Sequence, residues 1–133
     1  AIDARDDARW SVAGVFLEAL ARRDFDTMHT CLDPAIRFRA LIAAGVLDLH
    51  GPNETVGQLR VWFGEHGLVE VVDASIGQLG PRVYLRWRIR RGRLGDPDSF
   101  QVVEQHAFAT VGGRIESLDL LCSGFQAEQS PVS

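Results

Sequence analysis

From Val83 to Arg90 the sequence alternates one for one. Val83, Leu85, Trp87 and Ile89 fall on one parity, and Tyr84, Arg86, Arg88 and Arg90 fall on the other. Helical spacing scatters such residues around a cylinder. A strand puts all the large apolar groups on one side and the arginines on the other. The segment therefore requires a sheet with one buried face, and a slip of one residue would turn the arginines into the core. Phe100–Val111 repeats the pattern, with Val103, Gln105 and Ala107 set against Glu104 and His106. Ile115–Cys122 sets Leu118 and Leu120 against Asp119. Gly92–Ser99 and the tight turn at Gly112-Gly113 return the chain between these strands. With a further strand at Leu68–Ile76, ended by Gly77 and Gly80-Pro81, the C-terminal half reads as an antiparallel meander.

The N-terminal half has a different period. Trp10, Ala13, Leu17 and Leu20, widened by Val12, Phe16 and Ala19, predict a helix from about Asp6 to Arg23. Asp24 is the expected N-cap of a short second helix with Phe25, Met28 and Leu32 on its apolar face, ended by Asp33-Pro34. Ile36, Phe38 and Ala40 alternate with Arg37 and Arg39 as a strand, and Val46–His50 follows a turn at Ala44-Gly45. Gly51-Pro52-Asn53 opens a third helix bearing Val56, Leu59, Trp62 and Phe63, with Gly67 as its expected stop.

At 133 residues the chain suits one domain, 1–133, with an ordered core over about 6–125 and a polar tail after Phe125. No apolar run reaches the roughly 20 residues that a membrane helix needs. The polar, acidic start is unlike a secretory signal, so a cytoplasmic location is the expectation. A net charge of −4 disfavours nonspecific nucleic-acid binding. All basic residues are arginine, so Schiff-base lysine chemistry is excluded. Cys31 and Cys122 have no metal-site spacing and read as reduced thiols. There is no glycine-rich phosphate loop, and neither a metal nor an organic cofactor is expected.

Ala21-Arg22-Arg23-Asp24-Phe25-Asp26, then Leu32-Asp33-Pro34, His50-Gly51 and Gly112-Gly113-Arg114-Ile115 punctuate this element order. In that order and those markers the chain resembles the nuclear transport factor 2-like superfamily, and within it the SnoaL-like, polyketide cyclase-like branch, from about Asp6 to Phe125. The resemblance implies an α+β cone, three N-terminal helices packed on a strongly curved, mostly antiparallel sheet, around an apolar pocket. It leaves chemistry open, because such folds host isomerases, hydrolases, cyclases and binding modules.

The acids and bases of two family chemistries are missing. Where ketosteroid isomerases carry a carboxylate base, a tyrosine and a protonated acid, this sequence has Ala40, Phe16 and Gln105. The Arg-x-Asp of limonene-epoxide hydrolases becomes Arg88-Ile89-Arg90, and the acid expected on the last strand becomes Ser123. The carboxylate and histidine of SnoaL-like cyclases have counterparts in His106 and Asp119, which the Gly112-Gly113 hairpin would bring roughly opposite each other, with Arg86 and Glu104 joining the same face.

Two readings of that face stand. Either His106 and Asp119 form a general acid/base pair, or the charged face is the outer one, free to pack on a second copy as a homodimer. In the second case the apolar face encloses a hydrophobic small molecule. Its expected walls are Phe16, Phe38, Trp62, Trp87, Leu120 and Cys122, with Gln105 as chief polar contact and His50 at the mouth. The small side chains at Ala40 and Ala107 are expected to leave room for it.

Overall fold

A computed structural model describes residues 4–64 and 67–128, with side chains from residue 10 onward in the first helix. The elements run α1 (Ala4–Arg22), α2 (Phe25–Thr30), β1 (Leu32–Ile42), β2 (Gly45–His50), α3 (Gly51–Phe63), β3 (Leu68–Leu79), β4 (Arg82–Arg93), β5 (Asp96–Val111), β6 (Ile115–Cys122) and β7 (Gln126–Ala127). The curved seven-stranded sheet has the order β2-β1-β6-β5-β4-β3, with β7 on β5. The expected α+β cone architecture is what is found. The described neighbours pair antiparallel except β1 and β6, which run parallel.

Sheet parity is obeyed throughout the core. Val83, Leu85, Trp87, Ile89, Val103, Gln105, Ala107, Leu118 and Leu120 are buried, and Ala13, Phe16, Ala19 and Leu20 of α1 are buried with them. Asp24 caps α2, its carboxylate accepting from the Thr27 amide at 3.1 Å and the Thr27 hydroxyl at 2.6 Å. These bonds, the hydroxyl's first, lower the Asp24 pKa.

Several boundaries differ from expectation: β3 runs on through Gly77 to Leu79, and β4 and β5 extend through most of the expected Gly92–Ser99 loop to a turn at Leu94-Gly95. Leu32 belongs to β1 and not to α2, because the Cys31 carbonyl accepts from the Ile115 amide at 2.8 Å and starts the pairing with β6. Pro34 is tolerated there because the register shifts between Leu32 and Arg37. Helix α3 ends at Phe63, where the Gly64 amide reaches back to Arg60. Gly67, the expected stop, lies beyond it. After Phe125 the chain does not remain free: Gln126 and Ala127 pair with Val102 and Gln101. The rest of the expected polar tail, residues 129–133, lies outside the described residues.

Candidate functional site

The sheet sorts the candidate residues onto its two faces. The outer face is organised in rows across the strands. One row runs Val46, Leu41, Leu121, His106, Arg86, Ser75; the next runs Asp48, Arg39, Asp119, Phe108, Tyr84, Gly77. His106 thus stands opposite Leu121, and Asp119 stands opposite Phe108. The hairpin does not set His106 against Asp119: Val111 pairs with Ile115 across three residues and not two, and the register shifts once more between Thr110 and Val111.

The two residues have separate partners. Asp119 bridges Arg39 at 2.8 Å and Arg82 at 3.2 Å. His106 Nε2 lies 3.1 Å from Glu104, and its Nδ1 lies 2.6 Å from the Tyr84 hydroxyl. A carboxylate only accepts, so a neutral His106 carries its proton on Nε2 and accepts from Tyr84 at Nδ1. The His106 hydrogen bond and then Arg88, at 2.9 Å, lower the Glu104 pKa. His50 also lies on this face, 3.6 Å from Asp48 and well exposed. Open grooves of about 370 Å³ and 340 Å³ flank Phe108, the first lined by Leu41, Val46 and Leu121, the second by Tyr84, His106 and Leu79. Leu41, Val46 and Leu121 are at least half exposed, at 53%, 72% and 50%.

The inner face collects the other seven. Phe16 and Trp87 are 6.4 Å apart between ring centres, as are Phe38 and Trp62 at 6.2 Å, with Leu120 and Cys122 on β6 beside them. Trp87 Nε1 donates to Gln105 Oε1 at 2.8 Å, and Gln105 Nε2 donates to Cys122 Sγ at 3.3 Å. The indole N–H only donates, which fixes the amide orientation. Phe16, Phe38, Trp87 and Gln105 expose 0% of their surface. A side chain with no area open to a water-sized sphere borders no cavity of that size. The room expected at Ala40 and Ala107 is absent, since both alanines are themselves closed off from any water-sized space.

At one end the interior turns polar. Beyond Ile89 the inner parity of β4 reaches Arg91, whose partner on β5 is Gln101. Arg91 donates from Nε and Nη2 to Gln101 Oε1, at 3.3 and 3.0 Å, and from Nη1 to the Trp62 carbonyl. Phe125 closes this end. The chain turns at Gly124 (φ 84°), a left-handed conformation suited to glycine, and sets the Phe125 ring 6.1 Å from Phe63 and 3.4 Å beneath the Arg91 guanidinium carbon. Two-residue β7 and a bidentate Arg90–Glu128 contact hold the segment down. Extending the parity count one step past Ile89 would have found Arg91 from sequence; Phe125 carries no such signal.

Among the described residues no three His, Cys, Asp or Glu side chains are grouped to hold a metal, and no helix is long and apolar enough to cross a membrane.

No family model matches the chain, and no curated protein matches it. Solved structures do. A candidate polyketide cyclase from Xanthomonas campestris is 18% identical, with 89% of this chain and 92% of that one covered and a TM-score of 0.70. An NTF-2 like protein of unknown function from Burkholderia xenovorans is 14% identical, covering 98% and 91%, with a TM-score of 0.65. An LEH-like epoxide hydrolase of M. tuberculosis is 22% identical, covering 91% and 86%, with a TM-score of 0.64. With this element order, the parallel β1–β6 join and these matches along most of its length, the chain has the nuclear transport factor 2-like fold.

Proposed function

We propose that the protein is a SnoaL-like binding module that takes up an apolar small molecule at the Phe125 end of its interior. The carrying observation is the distribution of polar groups on the inner face. Along β4 and β5 that face is apolar except for Gln105, paired with Trp87 midway along it, and for Gln101 and Arg91, paired with each other at one end. A ligand site needs an apolar wall with a few polar groups at its mouth, and Arg91 and Gln101 supply them at that end. Entry requires Phe125 to swing away, against its contacts with Phe63 and Arg91, the short β7 pairing and the exposed Glu128 contact.

His106 and Asp119 take no part in this site, since both face outward. Polyketide cyclisation and epoxide hydrolysis, named for two structural neighbours, would draw on the carboxylates and histidine expected above, and the inward-facing residues of β4, β5 and β6 include neither type. Calorimetric titration of the full chain with the neutral aromatic 2-naphthamide tests the reading. Saturable binding at one site, strengthened by Phe125→Ala, is expected; no heat with either protein sinks it.

The outer face favours a second role, homodimerisation. Val46, Leu41 and Leu121 form an exposed apolar row, and the flanking charges are already neutralised within the chain by Arg37–Asp48, Arg39–Asp119 and Arg86–Asp73 pairs. A face neutral in itself can meet its own copy across a two-fold axis without repulsion. Sedimentation should show a dimer that Leu121→Arg converts to monomer, and a wild-type monomer at micromolar concentration would refute the pairing.

A further inference from the structure

Strand β4 carries six arginines, and five of them have a carboxylate partner: Arg82 with Asp119, Arg86 with Asp73, Arg88 with Glu104, Arg90 with Glu128 and Arg93 with Asp96. Arg91 is the exception. It is also the one that points inward, partly buried among Trp62, Gln101 and Phe125. Among the described residues its hydrogen-bond partners are two neutral oxygens, the Trp62 carbonyl and the Gln101 amide. Neutral acceptors satisfy its N–H groups but leave its charge without a counter-ion, and charge withdrawn from water is ordinarily paired. Burial accordingly holds the guanidinium below its ordinary value, and Cys122 is the one group pulling the other way.

The geometry of the neutral partner is informative. Gln101 Oε1 sits across the Nε–Nη2 edge of Arg91, at 3.3 and 3.0 Å, which is the edge a carboxylate grips with two parallel hydrogen bonds. One amide oxygen therefore occupies the place of an anion. On the guanidinium face the Phe125 ring, 3.4 Å away, occupies the place of an apolar body.

We propose that Arg91 is the anion anchor of the interior site and that its ligand is an apolar molecule bearing a carboxylate. The ligand's charged end displaces Gln101 from the Nε–Nη2 edge, and its apolar body displaces Phe125 from between Arg91 and Phe63. This assignment rests on the binding role proposed above and adds the class of ligand.

The test is calorimetric titration of the full chain with 2-naphthoate and with its neutral isostere 2-naphthamide. Wild type should bind the acid about tenfold or more tighter than the amide, the ratio expected for one charge-assisted bidentate contact. Arg91→Met should erase that preference while amide binding persists. Equal binding of acid and amide by wild type would overturn the anchor and leave the binding role standing. Binding of neither would overturn both.

Gln101→Glu gives an independent readout that does not require Arg91 to be replaced. It supplies the missing counter-charge from within the chain. The variant should melt at higher temperature than wild type, lose acid binding and keep amide binding. A lower melting temperature, or undiminished preference for the acid, would show that Arg91 has no unmet charge and would refute the proposal.

Discussion

Trp87 Nε1 and Gln105 Oε1 are joined by a 2.8 Å hydrogen bond at a point where neither side chain has any surface open to solvent. Gln105→Leu keeps the bulk but leaves the indole N–H buried without an acceptor. The expected loss is about 1–3 kcal/mol in urea denaturation. Trp87→Phe in the same chain removes the orphaned donor, so the double variant should lose less than the sum of the single ones. Additive losses would mean that the bond contributes nothing beyond packing.

Phe125 is only partly buried, and the segment that carries it is held by few contacts. Phe125→Ala should cost less than the roughly 3–5 kcal/mol of a wholly buried phenylalanine. It should also speed hydrogen exchange at the Glu128 amide, which donates to the Phe100 carbonyl at 3.0 Å. Unchanged exchange would show that β7 is anchored without Phe125.

The two thiols should differ in reactivity. Burial pushes the Cys31 thiol up, opposed by a hydrogen bond with Thr30. Cys122 is partly exposed, accepts from Gln105 and from the Gly124 amide, and lies three residues before Phe125. A thiol-specific reagent at pH 8 should label Cys122 first and reach Cys31 only on unfolding. Labelling of Cys122 should quicken in Phe125→Ala. Simultaneous labelling of both cysteines would contradict the placement of Cys31.

Acid should weaken the outer-face pairs in a defined window. The hydrogen bond from Arg86, reinforced by its charge, lowers the Asp73 pKa below the ordinary 3.8. A depressed carboxylate contributes its stability above the unfolded value and loses it as pH falls through the folded one. Asp73→Asn should therefore be less stable than wild type near neutral pH, and the gap should close only below 3.8. A gap that closes already at pH 6 would assign the effect to another group.

The faces of β4, β5 and β6 were legible because parity is a local property: Trp87 and Arg86 differ by one position and land on opposite sides. Asp24 was legible as a cap for the same reason. The separation of His106 from Asp119 was not, since it depends on a three-residue turn and on the further shift between Thr110 and Val111, which two glycines do not announce. Neither Gly112 nor Gly113 takes a positive φ, so the turn is not of the mirror-image type that their sequence suggests. Nor could composition show that Ala40 and Ala107 would be fully closed off, because packing density arises from elements far apart in the chain.

The parallel join of β1 to β6 also dictates an order of events during synthesis. Arg39 and Asp119, which meet across it, are 80 residues apart. Ribosomes add roughly 5–20 residues per second, so β1 and β2 emerge roughly 4–16 s before the strand that completes them. Through that interval Ile36, Phe38 and Ala40 have no sheet to lie in, and the hairpin offers an unmatched edge to any other nascent chain. The protein's exposure to misassembly is thus set by translation speed between β2 and β6. Slow codons in that stretch would lengthen the hazard without altering a single atom of the finished fold.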